Sequence, residues 1–560
     1  MIDDALGVEM AASGLTEPTS FAFLGADDYF VTEKSTGEVH HVVSGDIGDP
    51  VLDLAVNFFD ERGLLGIALH PDFGENGYVY LYWTASNEGE GDDGLLGPDT
   101  DDEFTLPDLG NRVDRFVWDG EQLTWDMNLV QLRSNTLETD TSGRIRGNHD
   151  AGPLVFGQDG KLYVINGDQN LRGQYQNLVD GPAPDDMNFT GAILRLNDDG
   201  SIPDDNPFFE VGAEMGGEVG ENVQMTFAYG IRNSFGLAVH PETGDLWETE
   251  NGDDSWDEVN ILPAGSNSGW WQMMGPPERF DEYRQIETDS EDGTDNPDVP
   301  PDQLAESADE AMTRFFELEG STYQPPVLSW KFPPAVTSIA FVTDDALGES
   351  SANTAWLGTV LTDSLLRYPL AEDGSGFDFG DDAGLSDLVD DNAQKGDLGE
   401  SAEYVVGTGF GVVTHILRGP DGLLYVSSIT NGAVYRIGPA DEVGGAPAAT
   451  ATAAPGGSAA AGEVVEITVG TGEGGDLVFD PTEISVPSGA TVRLTFVNES
   501  DSVPHNLTFS DSGSIDAATA TIVQPGAEET IEFTAPEPGE YTFVCTLHPG
   551  MEGTLVVDDA

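Results

Sequence analysis

At 560 residues, 38% of them hydrophobic, the chain is too long for one core and apolar enough to pack two or three domains. Its 103 Asp and Glu against 20 Lys and Arg give a formal net charge of −83. That excludes nucleic acid and anionic membranes as partners, which need basic side chains, and a single Cys excludes an internal disulfide framework. The acid is spread along the whole chain, as expected of a halophilic protein adapted to molar salt. Residues 1–14 lack the basic start and apolar core of a signal peptide, and no run is long enough for a membrane span.

From the N-terminus, apolar alternating runs come in pairs: 21–42, 64–84, 111–125, 154–166, 235–248, 338–370, 416–427 and 433–437. Several pairs turn through HPDFGENG, GQDG, HPETG or GPDG. Period-2 alternation with Gly, Asp and Pro turns predicts antiparallel strands, and the repetition predicts a propeller of roughly six blades over residues 1–440. The acidic stretches 87–107 and 287–309 lack periodicity and read as surface loops. Residues 441–462, DEVGGAPAATATAAPGGSAAAG, read as a flexible linker, and 463–560 as a separate strand-rich domain. The whole chain is therefore expected to be all-β.

In that last domain YTFVCTLHPGMEG puts Cys545, His548 and Met551 on one short loop, while VPHNLTF supplies His505 from far upstream. A thiolate, two imidazoles and a weak axial thioether are the ligand set that suits one copper ion. The domain resembles the small blue-copper proteins, the cupredoxins of the plastocyanin, amicyanin and pseudoazurin kind, over its full length, and its C-x-x-H-x-x-M loop is nearest to amicyanin. The resemblance implies a β-sandwich carrying a type 1 copper ion that moves single electrons, with His548 as the port.

Three phrases in the front part carry a second resemblance: GLLGIALHPDF, GNHDAGPLVFGQDGKLYVINGDQ and YGIRNSFGLAVHPETGDLWETENGDDSWDEVN. Over about residues 15–440 the chain resembles the glucose/sorbosone dehydrogenase family of soluble quinoproteins. That family implies a six-bladed propeller in which pyrroloquinoline quinone and Ca²⁺ oxidise aldose sugars. By position His149 matches the catalytic base, with Asp168 able to support it. Arg232 and Asn233 match the cofactor-contacting pair, and Gly252 and Asp253 the backbone ligands of Ca²⁺.

Departures from the family pattern stand at Thr362, Val412 and Thr414, where one Lys and two Arg are usual, and at Glu61, where Gln is usual. Lys331, Arg144 and Arg146 lie near the motifs as candidate replacements. The linker of about 20 residues spans roughly 25 Å and holds the copper domain at about millimolar effective concentration. The function expected is a sugar or alcohol dehydrogenase with a built-in copper acceptor. The alternative is a cofactor-free propeller that serves as a binding scaffold for a copper carrier. The resemblances imply an extracellular or cell-surface location and a downstream redox protein or respiratory chain as acceptor. Sequons at Asn188, Asn498 and Asn506 are compatible with export.

Overall fold

The computed structural model describes residues 1–58, 60–86, 110–134, 148–169, 189–288, 300–380 and 384–443, and in the tail 464–471, 479–488, 490–498, 505–509, 515, 523, 528–536, 538–545 and 551–558. The chain divides into two compact units, Met1–Ala448 and Ala449–Ala560. Most of the expected linker, from residue 444 onward, lies outside the described residues, as does the expected loop 87–107.

The first unit contains six sheets among its described residues. Their innermost strands are Pro18–Gly25, Leu64–Leu69, Leu154–Phe156, Ser234–Val239, Val336–Val342 and Val413–Arg418, and they define blades 1 to 6. Each inner strand packs against the next, and the sixth packs against the first, so the sheets close into a ring. The first four strands of each blade, counted outward from the axis, pair antiparallel, short parallel strands extend the outer edges of blades 3 and 4, and the N-terminal strand Leu6–Ser13 completes blade 6 by pairing with Ala433–Pro439. The ring is thus fastened by residues about 430 positions apart, and such radial repetition leaves only short outer edges on the blades.

The recurring turn phrases have a local cause. In blade 2 the His70 ring Nδ1 accepts the Asp72 main-chain N–H at 2.9 Å, and in blade 4 His240 Nδ1 accepts that of Thr243 at 3.2 Å. In blades 3 and 6 an Asp takes the role. Asp159 and Asp421 each accept a main-chain N–H two residues on, and each also accepts a Tyr hydroxyl four residues on at 3.0 Å. A side chain that satisfies the turn's own donors fixes the turn locally, without help from long-range packing.

At both its ends the segment 287–309 differs from the expected surface loop, while residues 289–299 lie outside the described residues. Glu287 ends a helix, Phe280–Thr288, and is buried, with its Oε1 accepting the Ser255 hydroxyl at 2.5 Å. A second short helix, Ala308–Arg314, is capped at its N-terminus by Ser307.

The tail unit holds two four-stranded sheets among its described residues. Along Thr491–Val497 the side chains of Val492, Leu494 and Phe496 turn inward while Arg493 is exposed. They join Phe509, Phe543 and Leu555 of the other sheet in one apolar core, the packing of a β-sandwich. Asn498 and Asn506 are buried in it, so neither is an accessible glycan acceptor; Asn188 lies outside the described residues.

Candidate active site and metal centre

The six inner strands leave an axial cavity of about 240 Å³. Its wall is mostly apolar, with Lys34, Asp60 and Glu61 as its charged side chains. Glu61 links that wall to the motif residues. Its Oε2 accepts the His149 main-chain N–H at 2.8 Å and the Asn233 amide at 3.1 Å.

His149 sits on a strained stretch of blade 3, with φ of +62° at His149 and +58° at Ala151. Its ring Nδ1 is 2.5 Å from Asp168 Oδ1, and Asp168 Oδ2 accepts the Trp270 indole N–H at 2.8 Å. Burial pushes the Asp168 carboxyl up, but the His149 and Arg232 charges and these hydrogen bonds outweigh it and hold the pKa below the ordinary value. An ionised Asp168 accepts the Nδ1 proton, which places the imidazole lone pair at Nε2.

Arg232 is clamped between main chain and carboxylate: Nη1 donates to the Asn251 carbonyl at 3.1 Å and Nη2 to Asp253 Oδ1 at 2.8 Å. Its Nε is buried with no partner among the described residues. The Arg232 carbonyl accepts the Asp168 N–H at 2.7 Å, which couples this residue to the His149 dyad. The corner at Gly252 is tight, because a Cβ there would lie 1.8 Å from the Ser255 carbonyl oxygen. Asp257 holds it by accepting the Gly252 N–H at 2.9 Å, and burial raises Asp257 to about 6.

The wall formed by blades 5 and 6 is neutral. Val412 and Thr414 line the cavity, and Thr362 is bonded to Thr359 at 2.6 Å. Of the candidate replacement cations, Lys331 is paired with Glu282 at 2.8 Å, and Arg144 and Arg146 lie outside the described residues. The cation on the cavity wall is instead Lys34 of blade 1, whose Nζ donates to the Phe58 carbonyl at 2.8 Å and whose pKa burial pulls down. Lys34 and Trp270 were not legible as site residues. Lys34 lies outside the three motif phrases, and the Trp270-Trp271 pair reads as plain core.

In the tail the buried Cys545 and His505 meet, with Sγ and Nδ1 3.8 Å apart. Two atoms bonded to one metal at about 2.1 and 2.3 Å in a trigonal set lie roughly that far apart, so the pair fits a copper ion. The Asn506 N–H points at Sγ at 3.4 Å, which favours a thiolate. Met551 is buried, and its carbonyl accepts the Cys545 N–H at 2.9 Å, closing the loop on itself. His548 lies outside the described residues.

The propeller thus carries a carboxylate-backed imidazole, and the sandwich a thiol set against an imidazole. The sequence profile described as glucose/sorbosone dehydrogenase matches residues 15–302, and that of the cupredoxin-like domain matches 445–557. The chain belongs to the glucose/sorbosone dehydrogenase family, extended by a cupredoxin-like domain.

Aldose sugar dehydrogenase YliI of Escherichia coli (strain K12) is 29% identical over 346 residues, 61% of this chain and 74% of that protein. Quinoprotein glucose dehydrogenase B of Acinetobacter calcoaceticus is 27% identical over 395 residues, 63% of this chain and 74% of that protein. Auracyanin-A of Chloroflexus aurantiacus is 32% identical over 122 residues, 17% of this chain and 75% of that protein. The apo-form crystal structure of the soluble aldose sugar dehydrogenase from Escherichia coli shares the propeller fold, with a TM-score of 0.52 at 23% identity over 78% of this chain and 99% of that one. Among the described residues no helix is long and apolar enough to cross a membrane.

Proposed function

We propose that the propeller is a quinoprotein dehydrogenase for an aldose sugar or related alcohol, using pyrroloquinoline quinone and Ca²⁺, and that its electrons pass to a type 1 copper ion in the tail. The observation that carries the catalytic half is the 2.5 Å contact between His149 and Asp168, backed by Trp270. An acidic quinone suits the cations present: Arg232, on the blade 3 and 4 side, keeps a buried Nε–H without a partner among the described residues, and Lys34 of blade 1 stands on the cavity wall. Carbonyl oxygens of Gly252 and Asp253 are the proposed Ca²⁺ ligands.

The quinone, when bound, supplies a hydride acceptor. His149 Nε2 takes the proton of the sugar's anomeric hydroxyl, and Asp168 stabilises the imidazolium that results. Glu61 fixes the His149 main chain and the Asn233 amide, so base and cofactor-facing side chain share one anchor. Copper held by His505, Cys545, His548 and Met551 supplies one-electron chemistry. Export and a downstream redox partner belong to the same proposal.

The neutral wall at Val412, Thr414 and Thr362 favours a second reading, a propeller without cofactor that presents a copper carrier. Reconstitution of the full chain with pyrroloquinoline quinone and Ca²⁺ separates the two. The first reading predicts quinone absorbance retained through gel filtration and aldose-dependent dye reduction that His149→Gln abolishes. Loss of the quinone on the column and no dye reduction would leave the second.

A further inference from the structure

Blade 1 carries a polar cluster that neither the dehydrogenase nor the copper chemistry uses. Glu33 ends the strand Asp28–Glu33, and Glu38 and His40 stand two positions apart, hence on one face, of the next strand, Glu38–Val43. One ligand atom from each lies within 4.8 Å of the others. His40 Nε2 is 3.0 Å from Glu38 Oε2 and 3.6 Å from Glu33 Oε1. On the far side of the ring, His40 Nδ1 is 3.0 Å from the Gly48 carbonyl, which only accepts, so Nδ1 carries a proton and Nε2 faces the two carboxylates. Glu33 is held in place by the Thr16 N–H at 2.7 Å and the Thr36 hydroxyl at 2.8 Å. Both Glu33 and His40 are buried.

A third acid crowds the cluster. Asp53 is paired directly opposite Glu38 on the adjacent strand, and its Oδ1 is buried with no partner among the described residues. Burial and then the Glu38 charge push the Asp53 carboxyl up. Like charges directly opposite on paired strands are destabilising, and one imidazole cannot neutralise three carboxylates.

We propose that Glu33, Glu38 and His40 bind a divalent first-row transition ion, with His40 Nε2 and one oxygen of each glutamate as ligands and Asp53 accepting from a metal-bound water. Two carboxylates balance the charge of a dication. The imidazole favours Zn²⁺, Fe²⁺ or Ni²⁺ over Ca²⁺, which takes oxygen ligands. A ring nitrogen donating to a main-chain carbonyl while its partner faces the ion is the usual support of a metal-bound His. In the metal-free chain burial pulls His40 down, but hydrogen bonds to Glu33 and Gly48 and the glutamate charges carry it to about 9.

The test uses the full chain in molar salt, with the tail site filled with copper and Ca²⁺ in excess to occupy hard oxygen sites. Titration with Zn²⁺, followed by calorimetry at pH 7, is expected to show one saturable site that persists in the excess of Ca²⁺. His40→Gln and Glu38→Gln each weaken it by roughly tenfold or more. Glu38 is the more exposed ligand, so its variant keeps the fold and reports even where His40→Gln does not. Identical isotherms for wild type and Glu38→Gln, or binding abolished by Ca²⁺, overturn the proposal.

Discussion

Replacing Asp168 by Asn keeps the shape of the side chain and removes the carboxylate that meets the His149 ring. In the native site Asp168 accepts two buried N–H donors, His149 Nδ1 through Oδ1 and Trp270 Nε1 through Oδ2. Asn offers one acceptor oxygen and an NH₂ group, so one of those donors is left facing another donor. A hydrogen bond to a charged group contributes about 1.5–3 kcal/mol. At about 1.36 kcal/mol per decade of rate, kcat falls by roughly 10- to 150-fold.

KM changes little, because Asp168 acts through His149 rather than on bound sugar. The assay is dye-linked aldose oxidation by the full chain loaded with quinone and Ca²⁺, with kcat and KM measured separately. Stability gives a second readout. The folded pKa of Asp168 is depressed, so its stabilisation is present above the unfolded value, about 3.9, and is lost as pH falls through the folded one. Wild type and Asp168→Asn therefore differ in Tm at pH 7 and converge in acid. A variant kcat within twofold of wild type refutes the dyad.

Further outcomes follow from other parts of the molecule. Cys545→Ser removes the thiolate, so the blue absorbance is lost and copper retention on desalting drops, while dye-linked activity of the propeller persists. Gly167→Ala places a Cβ 2.2 Å from the His149 carbonyl oxygen, and a lowered Tm together with lost activity is expected. Burial, then neighbouring carboxylates, raise Glu248 to about 8, and burial raises Glu258 to about 7, both well above the usual range. The folded state therefore holds protons that the unfolded chain gives up above about pH 4.5, and stability declines as pH rises from there toward 8. Glu248→Gln flattens that decline in a Tm series from pH 5 to 9; an unchanged slope contradicts the assignment.

What the sequence showed most clearly was what depends on neighbours in the chain. The HPxxG and GxDG turns were visible because His70, His240, Asp159 and Asp421 serve main-chain donors two or three residues away. The order of Cys545, His548 and Met551 on one loop was equally local. Long-range partners were invisible. Trp270 reaches Asp168 across 102 positions, and Glu287 reaches Ser255 across 32, so an acidic stretch that looked like a loop contains a buried carboxylate. Composition misled where acid is everywhere, since nothing marks which of the 103 acidic side chains turn inward. The same holds for Lys34, whose place on the axial wall is set by ring closure rather than by its own strand.

Electron passage from the propeller to the tail is measured most directly by the visible spectrum. Full-length protein in molar salt, loaded with cupric ion, pyrroloquinoline quinone and Ca²⁺, is mixed anaerobically with an aldose. The blue band is expected to bleach in the native chain and to persist in His149→Gln. A blue band that survives in the native chain while an added dye is still reduced by the same sugar contradicts it.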